Sequence, residues 1–384
     1  MVALVLARNS YFRSPQTTLN MKMQYHILAL VLLLFTACKK EKPQEMQKIY
    51  IGTYTNGNSE GIYSIQFNPL TGTLDSLKLE AKLSSPSFLT LSDDGKMLYA
   101  VEETSDFDAN SGGVVALQVT TDGLKEVNAK ATGGANPCHV AYSPSGQLAV
   151  SNYSGGNLAI FDLLEDGQLG DRQVINHNPP DTTGISHVHM AHFNADGLFA
   201  ADLGLDQVKR YTKQPYGWVP AEQKALTLDK GAGPRHFVFD ESRNFMYVMN
   251  ELNATLTVFK RDALGKFQPL QTESTIDPDY AGPHPCADIH MSPDGQFLYG
   301  SNRGENTLVI FKIDKATGKI SLVGRTSVEG DWPRNFTLSP DGKFVLVANK
   351  KSNNITVFKR DENEGTLNFL HEVALDSPVC LVFE

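Results

Sequence analysis

The 384-residue chain is 41% hydrophobic and only 20% charged, which supplies the apolar content of a large core and excludes a disordered chain. Its formal net charge of −9, without any run of Lys or Arg, lacks the basic stripe that phosphate backbones require, so nucleic acid is not expected as a partner. Four cysteines, widely spread and with no CxxC pair, are too few for a disulfide scaffold or a thiolate metal site, and no metal or other cofactor is expected.

The chain opens on a segment with the layout of an export signal. Lys22 lies in the stretch Met21 to His26, an apolar run of nine residues follows from Ile27 to Phe35, and Thr36-Ala37-Cys38 comes next. That run is well short of the roughly 20 residues needed to span a bilayer as a helix. Phe35-Thr36-Ala37-Cys38 resembles a bacterial lipobox, with Phe35 where Leu is more usual, and would make Cys38 the acylated first residue of the mature chain. An ordinary cleaved signal and a buried structural segment are the alternatives. Residues 1–38 are therefore assigned to the signal region, with 21–38 the signal proper and residues 1–20 upstream of a better start at Met21 or Met23. Residues 39–47 are polar and form a flexible tether. The expected location is the periplasm or outer membrane of the cell envelope, held by the lipid alone.

From residue 48 onward a turn phrase recurs: Ser92-Asp93-Asp94-Gly95, Ser143-Pro144-Ser145-Gly146, Asn194-Ala195-Asp196-Gly197, Ser292-Pro293-Asp294-Gly295 and Ser339-Pro340-Asp341-Gly342. The glycines are 51, 51, 98 and 47 residues apart, and Asp240-Glu241-Ser242-Arg243 fills the long gap as a degenerate copy. A period of about 50 belongs to propeller blades. Each turn joins two strand-like runs; a third run ends in pairs such as Ile160-Phe161 or Val357-Phe358, and a Gly-x-Leu step such as Gly167-Gln168-Leu169 opens a fourth. Seven post-turn strands can be counted, starting at Tyr50-Ile51-Gly52-Thr53, which lacks a strand before it. The chain ends on Pro378 to Phe383, which has the pattern of that missing strand. The expected fold is all-β: one seven-bladed β-propeller of four-stranded blades over residues 48–384, closed by the C-terminal strand. Cys138, Cys286 and Cys380 fall in apolar strand patterns and are expected as buried thiols.

Aligning the repeats on their turns puts Ser87, Cys138, His189, Arg235, Ala287 and Arg334 in one column at the start of the pre-turn strand. Glu103, Tyr153, Leu203, Glu251, Arg303 and Lys350 form a second column just after the post-turn strand. Most other columns repeat an apolar residue, whereas these two change from blade to blade and collect charge of both signs. Together with Ser186-His187-Val188-His189, Asp202-Leu203-Gly204, Gly233-Pro234-Arg235-His236, Asn250-Glu251, Ser301-Asn302-Arg303 and Pro333-Arg334-Asn335, the repeats resemble the 6-phosphogluconolactonase-like lactonase family, which includes the carboxy-muconate lactonizing enzymes.

The resemblance implies an active centre of one His, two Arg and a Glu, which fall on His189, Arg235, Glu251 and Arg303, and a small lactone as substrate. Lactone opening suits these groups: a His, or a Glu raised by burial, can take a proton from water, and fixed guanidinium groups can hold an oxyanion or an acidic substrate group. Arg334, His236, His139, Asn302 and Glu103 are the expected substrate contacts. His139 and His236 recur at one blade position and could instead bond a neighbouring blade, and Asp202 fits an Asx turn. His187 and His189 share a strand face that His192 does not, and without a carboxylate beside them a metal site is not expected. Export argues against the phosphorylated lactone made in the cytoplasm. The rival reading is a non-catalytic scaffold that binds a ligand or protein at the envelope, its charged pore residues forming a salt-bridged plug. The chain is expected to be a monomer whose partners are the lactone and, through the anchor only, the membrane.

Overall fold

A computed structural model of the protein describes residues 45–178 and 184–384. The signal, Cys38 and residues 39–44 lie outside the described residues. Glu45 and Met46 are exposed coil, and the first strand, Gln47–Thr53, begins on the last residue assigned to the tether.

The recurring turn is closed by its own side chains. Ser92 Oγ donates to Asp94 Oδ1 (2.7 Å) and accepts from Met97 N (3.0 Å), while Asp94 Oδ1 accepts from Lys96 N (3.1 Å). Gly95 takes the left-handed φ of 69° that ends the turn. The same bonds recur at Ser292, Asp294 and Phe297, and at Ser339, Asp341 and Phe344. In the degenerate copy Asp240 accepts from Phe245 N (2.6 Å) and Arg243 adopts φ 57° where the others have Gly. That conformation costs roughly 1–2 kcal/mol for a residue with a side chain, so the turn survives the change of sequence.

Each turn joins antiparallel strands, and the described residues form seven four-stranded sheets without a helix. The pre-turn strand of every blade is the inner one, and these strands touch in succession around the axis: Leu89–Leu91, Pro137–Ser143, Val188–Asn194, Pro234–Phe239, Cys286–Met291, Pro333–Leu338 and Pro378–Phe383. The last of them belongs to the first blade. It pairs with the strand Gln47–Thr53 in the register Ile49↔Phe383, Tyr50↔Val382, Ile51↔Leu381 and Gly52↔Cys380, so the ring closes as the displaced strand predicts.

Middle strands are covered on both faces by the adjoining blades. Leu98 to Val101 and Val345 to Ala348 are buried throughout, and Tyr99 and Val101 of one blade pack with Leu148 and Val150 of the next. Outer strands such as Leu74–Lys82 are largely exposed. Cys138, Cys286 and Cys380 are free and buried.

Candidate active site

The two variable columns meet at the end of the ring opposite the hairpin turns, and the backbone fixes where the second column starts. In each blade the residue after the post-turn strand donates its N–H to a carbonyl just before or at the start of the inner strand. Tyr54 bonds to Ser377 (3.1 Å), Glu103 to Ser85 (3.1 Å), Tyr153 to Asn136 (3.0 Å), Leu203 to His187 (2.9 Å), Glu251 to Gly233 (2.7 Å), Arg303 to Pro285 (3.0 Å) and Lys350 to Trp332 (3.0 Å). Seven side chains are thus presented around the mouth from equivalent backbone positions.

His189, Arg235, Glu251 and Arg303 come together on three successive blades. Glu251 Oε2 lies 2.8 Å from Arg303 Nη2, and Arg235 Nε lies 3.1 Å from the same oxygen in a charge contact that lacks hydrogen-bond alignment. The two guanidinium groups are also held by backbone: Arg235 Nη1 donates to Ala287 O and Arg303 Nη2 to Cys286 O, each at 2.7 Å. Arg235 is 2% and Arg303 5% exposed, while the Glu251 side chain keeps 17%. The His189 ring is 4% exposed and stands edge-on to Tyr153 (5.7 Å between centroids) and His236 (5.2 Å), its Nδ1 without a partner among the described residues.

Charge states follow from this packing. Burial by itself would raise the Glu251 carboxyl, but Arg303, Arg235 and Arg334 outweigh it and hold it below the usual carboxylate value. A Glu raised by burial, one of the two expected bases, is therefore not what the geometry provides. Burial, with Arg235 and His236 adding to it, pushes the His189 imidazole well below its ordinary value, so it is neutral at pH 7. Burial, then the neighbouring Arg303 and Arg334, lower Arg235 to about 10.

Across the mouth a second group assembles around Glu103. Its Oε2 accepts from Tyr54 OH (2.8 Å) and Ser87 Oγ, and lies 3.7 Å from Arg334 Nη2. The Tyr54 ring carries two cations, Lys350 Nζ at 4.5 Å and Arg334 Cζ at 5.2 Å from its centroid. Burial pushes the Tyr54 phenol up, so it acts as a donor.

Residues 48–383 match the family described as lactonase, 7-bladed β-propeller. The chain belongs to this family. A 6-phosphogluconolactonase of Bacillus subtilis is 33% identical over 297 residues, 75% of this chain and 83% of that protein, and one of Formosa agariphila is 34% identical over 312 residues, covering 76% and 86%. Among solved structures, the periplasmic gluconolactonase of Pseudomonas aeruginosa superposes with a TM-score of 0.83 at 33% identity, covering 88% of this chain and 99% of that one.

Several residues expected to touch substrate in this lactonase-family chain are placed elsewhere. Asn302 is fully buried, and its Nδ2 donates to Thr275 O (2.9 Å), Glu305 Oε2 (3.1 Å) and Thr307 Oγ1 (3.1 Å), which leaves nothing for a ligand. Side chains alternate along a strand, so Asn302 points into its blade where Arg303 reaches the mouth. His236 sits behind Arg235, its Nδ1 2.7 Å from Asp288 Oδ1 and its Nε2 3.4 Å from Arg235 Nη1. His139 is buried between Phe88 (4.2 Å) and His236 (5.6 Å). Both histidines support the site from beneath; Glu103 and Arg334 remain at the mouth. Asp202 is a fastener, as its turn suggests, accepting from His187 N and Leu205 N on one oxygen and Ser186 Oγ on the other. His187 stacks on Tyr153 and His192 packs among Phe237 and Phe239, and no metal-holding cluster occurs among the described residues.

Sequence reasoning missed Tyr54 and Asp288. Tyr54 occupies the second column of the first blade, and counting on from Tyr50-Ile51-Gly52-Thr53 would have found it. Asp288 takes His236 Nδ1 on one oxygen and His290 Nε2 (3.1 Å) and Asn335 Nδ2 (2.5 Å) on the other, joining three blades under Arg235. Nothing in its local sequence marks it.

Proposed function

We propose that this chain hydrolyses a small sugar-derived lactone at the channel mouth. The observation that carries this reading is the pair of buried guanidinium groups fixed on one carboxylate beside a neutral histidine. The names of the Bacillus and Formosa relatives support the reaction class.

His189 takes a proton from water as the water oxygen bonds to the lactone carbonyl carbon. The carbonyl oxygen becomes an oxyanion facing Arg235 and Arg303, whose positive charge is undiluted by solvent. The ring C–O bond then breaks, the proton returns from His189 to the departing ring oxygen, and a hydroxy acid leaves. Glu251 spaces the two arginines and offsets their charge. A base contributes about 10²–10⁴-fold and an oxyanion contact about 10²–10³-fold. The signal-like segment and the periplasmic Pseudomonas relative together support a site in the cell envelope, with Cys38 as lipid anchor, and hence an unphosphorylated substrate.

The burial of Arg235 and Arg303 also fits the rival reading, a salt-bridged plug in a binding scaffold. A panel of aldonolactones with and without a 6-phosphate, followed by acid release at constant pH with and without chelator, separates the two. Chelator-insensitive opening of an unphosphorylated lactone, lost in Arg303→Met, is the expected result. Hydrolysis no faster than buffer across the panel rejects the activity.

A further inference from the structure

We infer that Trp332 is a positioning residue for Arg303, its indole covering the guanidinium face and holding that group against Glu251. The inference rests on the lactonase reading only for its catalytic consequence.

Four of the seven inner strands open on a proline and Pro86 lies just ahead of the strand Leu89–Leu91; before each of these five prolines the residue adopts a left-handed φ: Ser85 (47°), Asn136 (52°), Gly233 (64°), Trp332 (69°) and Ser377 (48°). The conformation has a purpose in each blade, because the carbonyl of this residue receives the N–H of the next side chain at the mouth. Four blades fill the position with Gly or Asn, which tolerate positive φ best, or with Ser, whose side chain is small. The seventh fills it with an indole, among the least suited. Any residue could supply the carbonyl to Lys350 N (3.0 Å) and the N–H to Asn306 Oδ1 (2.9 Å), so the backbone does not call for the ring.

The ring's surroundings do. Arg303 Cζ lies 5.3 Å and Lys351 Nζ 3.4 Å from its centroid. The bonds of Arg303 to Pro285 O (3.3 Å), Cys286 O (2.7 Å) and Glu251 Oε2 (2.8 Å) grip the edge of the guanidinium plane. They leave its face to Trp332. An aromatic cover there adds a cation–π contact and keeps water off the charge, which preserves its strength toward an oxyanion. A bulky ring kept at a position where the other blades hold Gly, Asn or Ser is the pattern expected where geometry serves function.

The test compares Trp332→Gly and Trp332→Phe with the wild type by three measurements: the Arg303 Nε–H resonance and its exchange rate, assigned by its loss in Arg303→Lys; kcat and KM on the lactone; and the melting temperature. In Trp332→Gly the Arg303 resonance should lose its ring-current shift and exchange about 10-fold faster, and kcat should fall about 10–100-fold with KM nearly constant, a partial loss of an oxyanion contact. Its melting temperature should hold or rise, since Gly accepts φ 69° freely. Trp332→Phe should regain most of the turnover. An unchanged Arg303 resonance in Trp332→Gly, or activity that falls only in step with melting temperature in both variants, overturns the inference. A wild type that opens no lactone refutes the proposed activity instead, and the arginine resonance still decides whether Trp332 positions Arg303.

Discussion

Arg235→Met separates catalysis from structure most cleanly. Arg235 is wholly enclosed, and burial, with Arg303 and Arg334 adding to it, lowers its ionisation from the usual guanidinium range to about 10 even with Glu251 beside it. The folded state therefore disfavours this charge by roughly 3 kcal/mol relative to water. Met fills a similar volume without charge and recovers that amount. Against it stands the Ala287 carbonyl, which loses its 2.7 Å bond and costs about 1–3 kcal/mol if left unpaired. The two nearly cancel, so the melting temperature should stay within a few degrees of wild type. Turnover should fall by about 10²-fold or more, the loss typical of one oxyanion contact. Differential scanning fluorimetry and acid-release assays on the same preparations give both numbers. If Arg235→Met unfolds several degrees early and retains its lactone turnover per folded molecule, Arg235 is a plug and the catalytic argument fails.

Glu251→Gln should behave differently: it strands two buried guanidinium groups, with a stability loss of about 3–5 kcal/mol accompanying the loss of turnover, and an unchanged denaturation midpoint would contradict the charge arrangement described. Acid should weaken the fold through His236, held at about 4 by burial and by Arg235 against an ordinary 6.5, with Asp288 and His290 pulling in opposite directions. Between those two values the unfolded chain binds a proton that the folded chain refuses, so about 3 kcal/mol of stability present at neutral pH is lost as pH falls through that window. Urea titrations at pH 7, 5.5 and 4.5 should show a shallower decline in His236→Gln, and an identical decline would assign the effect elsewhere. Deleting Pro378–Glu384 removes the buried Val379 and Leu381, worth about 1.5–3 kcal/mol each, and reopens the first blade. Loss of the single cooperative transition is expected, and an intact melting curve would show that closure does not hold the ring.

The fold was legible because its punctuation is local. Ser-Pro-Asp-Gly closes on itself through a serine hydroxyl and an aspartate, and six such turns, one of them degenerate, mark off the blades. Even the closure could be read, since an unpaired first strand and a surplus last one share a pattern. The degenerate turn at Asp240 to Arg243 was legible only through spacing, as its Arg243 takes a conformation that composition does not predict. Asp288 was hidden for the opposite reason: its partners His236, His290 and Asn335 approach from three blades, and no short stretch of chain contains that convergence.

For the site, the useful distinction lies between positions that repeat and positions that vary. Asn152, Asn250, Asn302 and Asn349 all end a post-turn strand and all are fully buried, each with a side-chain bond inside its own blade. Their recurrence marks them as framework, Asn302 included, although it adjoins Arg303. One residue further on, the backbone pin is the same in every blade but the side chain changes from Tyr54 to Glu103, Tyr153, Leu203, Glu251, Arg303 and Lys350. A shared pin makes the seven positions equivalent in space, so differences among them cannot be demands of the fold. Trp332 inverts the same logic: there the backbone asks for a small residue in every blade that uses the turn, and the exception stands over Arg303. Departures from the repeat, in a position whose backbone role is fixed, are where a propeller's chemistry is written.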